Sequence, residues 1–124
     1  MLFRSVCDKL QIHLRAIRYK NQLYDLTPNS GAYIINLDDS FSGKKGTHWV
    51  GAYLLVNKGR PELYYFDSFA GPAPIEVEAF AKQWGAHGVI RSNRQIQAIN
   101  SNYCGQYVID FLFFMTHEKK KTIR

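Results

Sequence analysis

The chain has 124 residues, 46% of them hydrophobic and 15% aromatic, with no low-complexity tract or internal repeat. That suffices for one compact domain around a core and is too apolar for a disordered chain. The net charge is +6, the two cysteines could make one disulfide but read as free thiols of a cytosolic or nuclear chain, and no apolar run reaches the roughly 18 residues of a membrane-spanning helix.

Residues 2 to 10 read as a short amphipathic helix, with Leu2, Val6 and Leu10 at helical spacing. Residues 11 to 17 are ambiguous, because Ile12, Leu14 and Ala16 alternate as a strand would. The cluster Thr27-Pro28-Asn29-Ser30-Gly31 is a turn, and Ala32 to Leu37 (AYIINL) a buried strand. Asp38 to Gly46 is a polar loop. Thr47 to Val56 and Glu62 to Phe69 then form a hairpin across Asn57 to Pro61. After Gly71-Pro72-Ala73-Pro74 a helix is expected from Ile75 to Trp84, stopped by Gly85. Gly88 to Gln97 is expected to be extended. The last element is a helix from Tyr103 to His117, with Val108, Phe111, Leu112 and Met115 on one face and Ile109, Phe113 and Phe114 widening it. Such a helix is central and buried. The class is α+β: a mainly antiparallel sheet packed on a C-terminal helix, in a single domain over residues 1–124 with a basic tail from about residue 117.

The hairpin carries the first chemical signal. In an antiparallel pair the opposed residue numbers have a constant sum, here about 115 to 117 for a turn centred on Asn57 to Gly59. His48 then lies opposite Asp67 or within two residues of it, with both side chains on one face. A carboxylate beside an imidazole fixes its tautomer and stabilises its charged form, which is how a general base is oriented.

Cys104 is the group for such a base to act on. It stands at the head of the last helix, where free N–H groups and the helix dipole favour a thiolate. Gly105 lets a substrate backbone approach, and the Cys104 N–H can face a developing oxyanion. Gln97, seven residues upstream, can supply a second donor. Taken singly, each of these residues is more often structural: a satisfied histidine, a turn aspartate, a packed cysteine.

Four segments together resemble the adenovirus-proteinase-like cysteine proteases, of the same clan as the SUMO-deconjugating proteases. They are YIINLDD (Tyr33 to Asp39), GTHWVGAYL (Gly46 to Leu54), YYFDSFAGPAP (Tyr64 to Pro74) and QAINSNYCGQYVIDFL (Gln97 to Leu112). The resemblance covers residues 30 to 115 and implies a papain-like-clan core. It implies Cys104 as nucleophile, His48 as general base and acid, Asp67 as orienting acid and Gln97 as oxyanion donor. Ala70 departs from the glycine the family often has there. The short length is similar to the proteases of virophages, polinton-type elements and related DNA viruses.

What the resemblance implies is a cysteine endopeptidase without cofactor, cutting viral capsid or core precursors during virion maturation. The alternatives are a deconjugating peptidase for a ubiquitin-like modifier and a non-catalytic binding module keeping the fold. A papain-like order with Cys7 as nucleophile lacks the following glycine. Trp49, as roof of the site or core aromatic, and Gly105 are the candidate substrate contacts, with Tyr53 and Tyr65 as further groove aromatics. Gln95 is the weaker alternative to Gln97, and Asp110 lies about 240° around the helix from Cys104. His117 reads as a charge complementing the helix dipole, His13 and His87 as surface residues, and Cys7 as a buried small residue. No Cys/His spacing fits a metal site. Arg15, Arg18 and Lys20, with Lys119, Lys120, Lys121 and Arg124, are a solvated surface with a secondary capacity for weak nucleic-acid contact. The N-terminal segment has scattered charges and no signal-peptide core. The expected setting is intracellular, in host cytoplasm or nucleus and packaged in virions, with no membrane contact.

Overall fold

The computed structural model describes residues 3–27, 29–38, 48–56, 59–91 and 104–119, with the side chains of Cys104 and Lys119 outside the description. Helix α1 (Phe3–Lys9) leads into β1 (Leu14–Tyr19), which resolves the ambiguous segment in favour of a strand. A 3-10 turn (Lys20–Gln22), β2 (Gly31–Asn36), β3 (Trp49–Leu55), β4 (Glu62–Phe66), α2 (Ile75–Gln83), β5 (Val89–Arg91) and α3 (Cys104–Phe114) follow. α3 ends in a π-helical turn over Met115–Lys119.

The strands form one sheet in the order β1-β2-β3-β4-β5. The two inner pairings, β2 with β3 and β3 with β4, are antiparallel. The two outer pairings are parallel. Each parallel neighbour is reached by a long connection rather than a tight turn, and the one from β4 to β5 carries α2. β2 is buried at every position because helices cover both faces of the sheet.

Alternation along the strands divides the core in two. Tyr33, Ile35, Val50, Ala52, Leu63 and Tyr65 point to α2, where Val77, Phe80 and Ala81 meet them. Ala32, Ile34, Tyr53 and Phe66 point to the other face, against Phe3 and Cys7 of α1 and Val108, Ile109 and Leu112 of α3. Tyr53 and Tyr65 are therefore core residues on opposite faces, 2% and 1% exposed, and do not line a groove as the sequence suggested. Phe113 and Phe114 also correct the expectation that they widen the buried face of the helix. They are 41% and 51% exposed, because α3 has the sheet and α1 on one side and solvent on the other.

Two local devices set how the helices dock. α2 stops as expected at Gly85, with φ of 84°. The Gly85 N–H bonds the Lys82 carbonyl and the Ala86 N–H bonds that of Ala81, a complete Schellman cap. α3 approaches the sheet closely at Gly51, where an added Cβ would lie 3.1 Å from Phe111 Cδ2 and 3.2 Å from Val108 Cγ1. The missing side chain on β3 lets the helix seat.

Candidate active site

β3 and β4 pair with Gly51 opposite Phe66 and Ala52 opposite Tyr65, the upper end of the register range expected from the turn. Continued past the last rung, this register sets His48 opposite Phe69 and two residues from Asp67. The side chains follow it. His48 and Phe69 stack with ring centroids 4.4 Å apart and an interplanar angle of 21°. His48 Nε2 lies 2.7 Å from Asp67 Oδ1. The expected pairing of imidazole and carboxylate is present, and both side chains are largely out of solvent, 15% and 6% exposed.

The carboxylate is held by its own turn. The Phe69 N–H donates to Asp67 Oδ1 at 2.9 Å, and the Ala70 N–H donates to the Asp67 carbonyl at 2.8 Å. The Gly71 N–H also donates to Asp67. Ala70 adopts φ of 60° in the turn that aims Asp67, the left-handed conformation that glycine takes without strain. Gly71 must lack a side chain, since a Cβ would stand 2.6 Å from Asp67 Oδ2. In the sequence Ala70 is a mismatch to the resembled pattern and Gly71 part of a Gly-Pro breaker, and neither shows the turn that holds the carboxylate. The hairpin register could have revealed Phe69.

Burial alone would raise the Asp67 pKa. The hydrogen bond and charge of His48, with the N–H groups of Phe69 and Gly71, outweigh it and hold the carboxyl below its usual range. The carboxylate is thus the stable form. A carboxylate only accepts, so Nε2 carries the imidazole proton and Nδ1 presents its lone pair. Nδ1 is buried and has no hydrogen-bond partner among the described residues. Tyr65, two residues before Asp67, is raised far above the ordinary phenol range by burial first and then by the Asp67 charge.

Helix α3 runs along the opposite face of the sheet toward this same rim. Its C-terminal end lies by Tyr53, which bonds Thr116, and its middle lies over Gly51. The Cys104 end therefore extends toward the start of β3. Cys104 is about 6 Å along the axis from Val108 at about 1.5 Å per residue. His48 is roughly 10 Å along the chain from Gly51 at about 3.3 Å per residue. Cys104 opens α3 as the sequence anticipated, with Gly105 as the second residue. Gln97 and Gln95 lie outside the described residues.

The remaining candidates have contacts of their own. Trp49 is partly buried and packs edge-on against Phe3 at 5.1 Å, on the α3 face. Asp110 is exposed on α3. His117 Nε2 donates to the Leu10 carbonyl at 2.8 Å, which ties the end of α3 to the residue that follows α1. His87 is exposed, as expected, with Nδ1 2.8 Å from Arg60 Nη1. Cys7 is fully buried, as expected, and burial followed by the Asp8 charge pushes its thiol pKa up. Arg15 Nε donates to the Ser30 carbonyl and Lys20 pairs with Glu76 at 3.1 Å, so part of the basic group on β1 is engaged within the fold. Among the described residues no helix is long and apolar enough to cross a membrane.

No protein-family model matches the sequence, and no curated protein does. Solved structures do match in fold. The selenomethionine form of the ASFV pS273R protease is similar with a TM-score of 0.56 at 14% identity, over 92% of this chain and 54% of that one. The chain has a cysteine-protease-like fold. It is also similar to AvrA delL154 with IP6 and CoA, with a TM-score of 0.61 at 14% identity, over 94% of this chain and 46% of that one. HopZ1a in complex with IP6 and CoA matches with a TM-score of 0.59 at 15% identity, over 98% of this chain and 40% of that one. The chain thus spans about half, or less, of the length of these neighbours.

Proposed function

We propose that the protein is a cysteine peptidase in which Cys104, His48 and Asp67 act as a triad and Gln97 completes an oxyanion hole. The observation that carries this reading is the buried His48–Asp67 pair. The His48 Nε2 is pinned on a carboxylate and its Nδ1 has no partner among the described residues, at the rim toward which the Cys104 end of α3 runs. In the proposed reaction His48 Nδ1 takes the Cys104 proton, and the thiolate adds to a peptide carbonyl. The Cys104 N–H and the Gln97 amide stabilise the oxyanion. Collapse breaks the C–N bond, and the amine leaves with the proton from His48. Water deprotonated by His48 then hydrolyses the thioester and restores the thiol.

The finer reading is adenovirus-proteinase-like: cleavage of viral capsid or core precursors during virion maturation. The four matching segments and the fold shared with the ASFV protease support it. A second reading keeps the acyl-enzyme and changes its source and fate. HopZ1a and AvrA share the fold and were solved with CoA. In this reading Cys104 takes an acyl group from its CoA thioester and passes it to an amine, releasing CoA. Incubating the protein with viral capsid precursors, a SUMO-type fusion and acetyl-CoA plus acceptor peptides separates the readings. Cleavage of precursors that is lost in Cys104→Ala supports the first. Free CoA with acylated peptide supports the second. Equal cleavage by wild type and Cys104→Ala removes the enzyme reading.

A further inference from the structure

Phe69 is a large aromatic residue that belongs to neither core of the sheet. It lies just beyond β4 and is partly buried. Its ring lies nearly flat on that of His48, with 4.4 Å between centroids and 21° between planes.

The backbone of the same residue reaches the other member of the pair. The Phe69 N–H donates to Asp67 Oδ1 at 2.9 Å, and the same oxygen lies 2.7 Å from His48 Nε2. Phe69 thus touches imidazole and carboxylate through two different parts of itself. The turn makes this possible. The bond from the Ala70 N–H to the Asp67 carbonyl and the left-handed conformation of Ala70 hold Phe69 in place. That place is the one the continued hairpin register sets opposite His48.

The imidazole needs such a neighbour. Among the described residues its ring has one polar tether, Nε2 to Asp67, and its buried Nδ1 has no partner. One hydrogen bond fixes where Nε2 points but leaves the ring free to rock about that bond, because acceptors tolerate a broad range of directions. A rocking ring swings the Nδ1 lone pair out of line. A flat face at stacking distance removes that freedom, and a branched aliphatic side chain would not. The aromatic face also carries partial negative charge, which suits the imidazolium formed while His48 holds the transferred proton.

We propose that Phe69 is a positioning residue for His48: its ring fixes the plane of the imidazole while its N–H fixes the carboxylate. This rests on His48 being the general base of the proposed reaction. The two parts can be separated, since any substitution other than proline keeps the N–H.

Phe69→Leu and Phe69→Tyr divide the flat face from the apolar bulk. Phe69→Leu keeps an apolar side chain and loses the face, whereas Phe69→Tyr keeps the face. On a fluorogenic peptide, Phe69→Leu should lower kcat roughly tenfold with KM within about twofold, and Phe69→Tyr should stay within about twofold of wild type in both. An unchanged kcat in Phe69→Leu, or an equal loss in Phe69→Tyr, overturns the inference. The His48 Nε2–H proton resonance is a readout that needs no turnover. It should be resolved and slow to exchange with water in wild type and Phe69→Tyr, and lost to exchange in Phe69→Leu. A signal equally sharp in Phe69→Leu overturns the inference. A protein that shows the expected pattern and turns over no peptide overturns the peptidase reading and leaves the placement of His48 by Phe69 standing. The unmutated protein supplies a check that needs no variant to fold. The His48 ring protons should be shifted upfield by the Phe69 ring current, and ring protons at their random-coil positions overturn the inference.

Discussion

Gly71→Ala is the sharpest test of how Asp67 is held. A methyl on Gly71 would sit 2.6 Å from Asp67 Oδ2, where ordinary contact begins at 3.4 Å, so the carboxylate or the turn must retreat by about 0.8 Å. A shift of that size breaks either the Gly71 N–H bond to the carboxylate or the 2.7 Å contact with His48. Overpacking of this kind costs about 1–3 kcal/mol, and a hydrogen bond to a charged group about 1.5–3 kcal/mol. If about 2 kcal/mol of that falls on the orientation of His48, turnover drops roughly 30-fold. Two assays bear on it: kcat/KM on a fluorogenic peptide with small residues at the scissile bond, and the urea midpoint. The expected result is a loss of activity larger than the loss of stability would explain at a temperature where the variant is folded. A Gly71→Ala protein as active and as stable as wild type would refute the account of the turn.

Three further outcomes follow from the same geometry. Ala70→Gly should stabilise the fold by about 1 kcal/mol in urea unfolding, since φ of 60° strains alanine and not glycine; a loss of stability would contradict it. Gly51→Ala should cost about 1–3 kcal/mol, because the new methyl meets Phe111 and Val108 and lifts α3 from β3; a neutral result would mean the helix seats without that contact. The Asp67 carboxyl has a lowered folded pKa, so its contribution is present above the unfolded value of about 3.9 and is lost as pH falls through the folded value. Asp67→Asn should therefore remove part of the acid dependence of the urea midpoint and lower stability most at neutral pH. An acid limb identical to wild type would place the stabilising shift elsewhere.

Much of the site was legible because it depends on local rules. A hairpin has one register once its turn is fixed, and that register brought His48 to Asp67. The stop at Gly85 and the start of α3 at Cys104 were equally local. What escaped depended on contacts between distant segments. Tyr53 and Tyr65 are one residue apart in register on neighbouring strands, which sets them on opposite faces, but that both faces are covered, one by α3 and the other by α2, depends on distant segments. Phe113 and Phe114 read as apolar helix positions, but nothing in their spacing says where the sheet ends and solvent begins. The bond of His117 to Leu10 joins the two ends of the described chain and leaves no periodic trace. Gly71 looked like part of a Gly-Pro breaker, while its reason is a carboxylate four residues away.

The proposed triad requires that Cys104 be an activated thiol and that Cys7 not be. Cys7 is 0% exposed with its pKa pushed up, so the protein carries its own control. Limited iodoacetamide alkylation near pH 6, mapped by mass spectrometry in wild type and His48→Ala, measures the difference. Rapid labelling at Cys104, none at Cys7, and loss of the Cys104 advantage when His48 is removed are the expected results. Labelling of Cys104 no faster than a free thiol, or unchanged in His48→Ala, would contradict it.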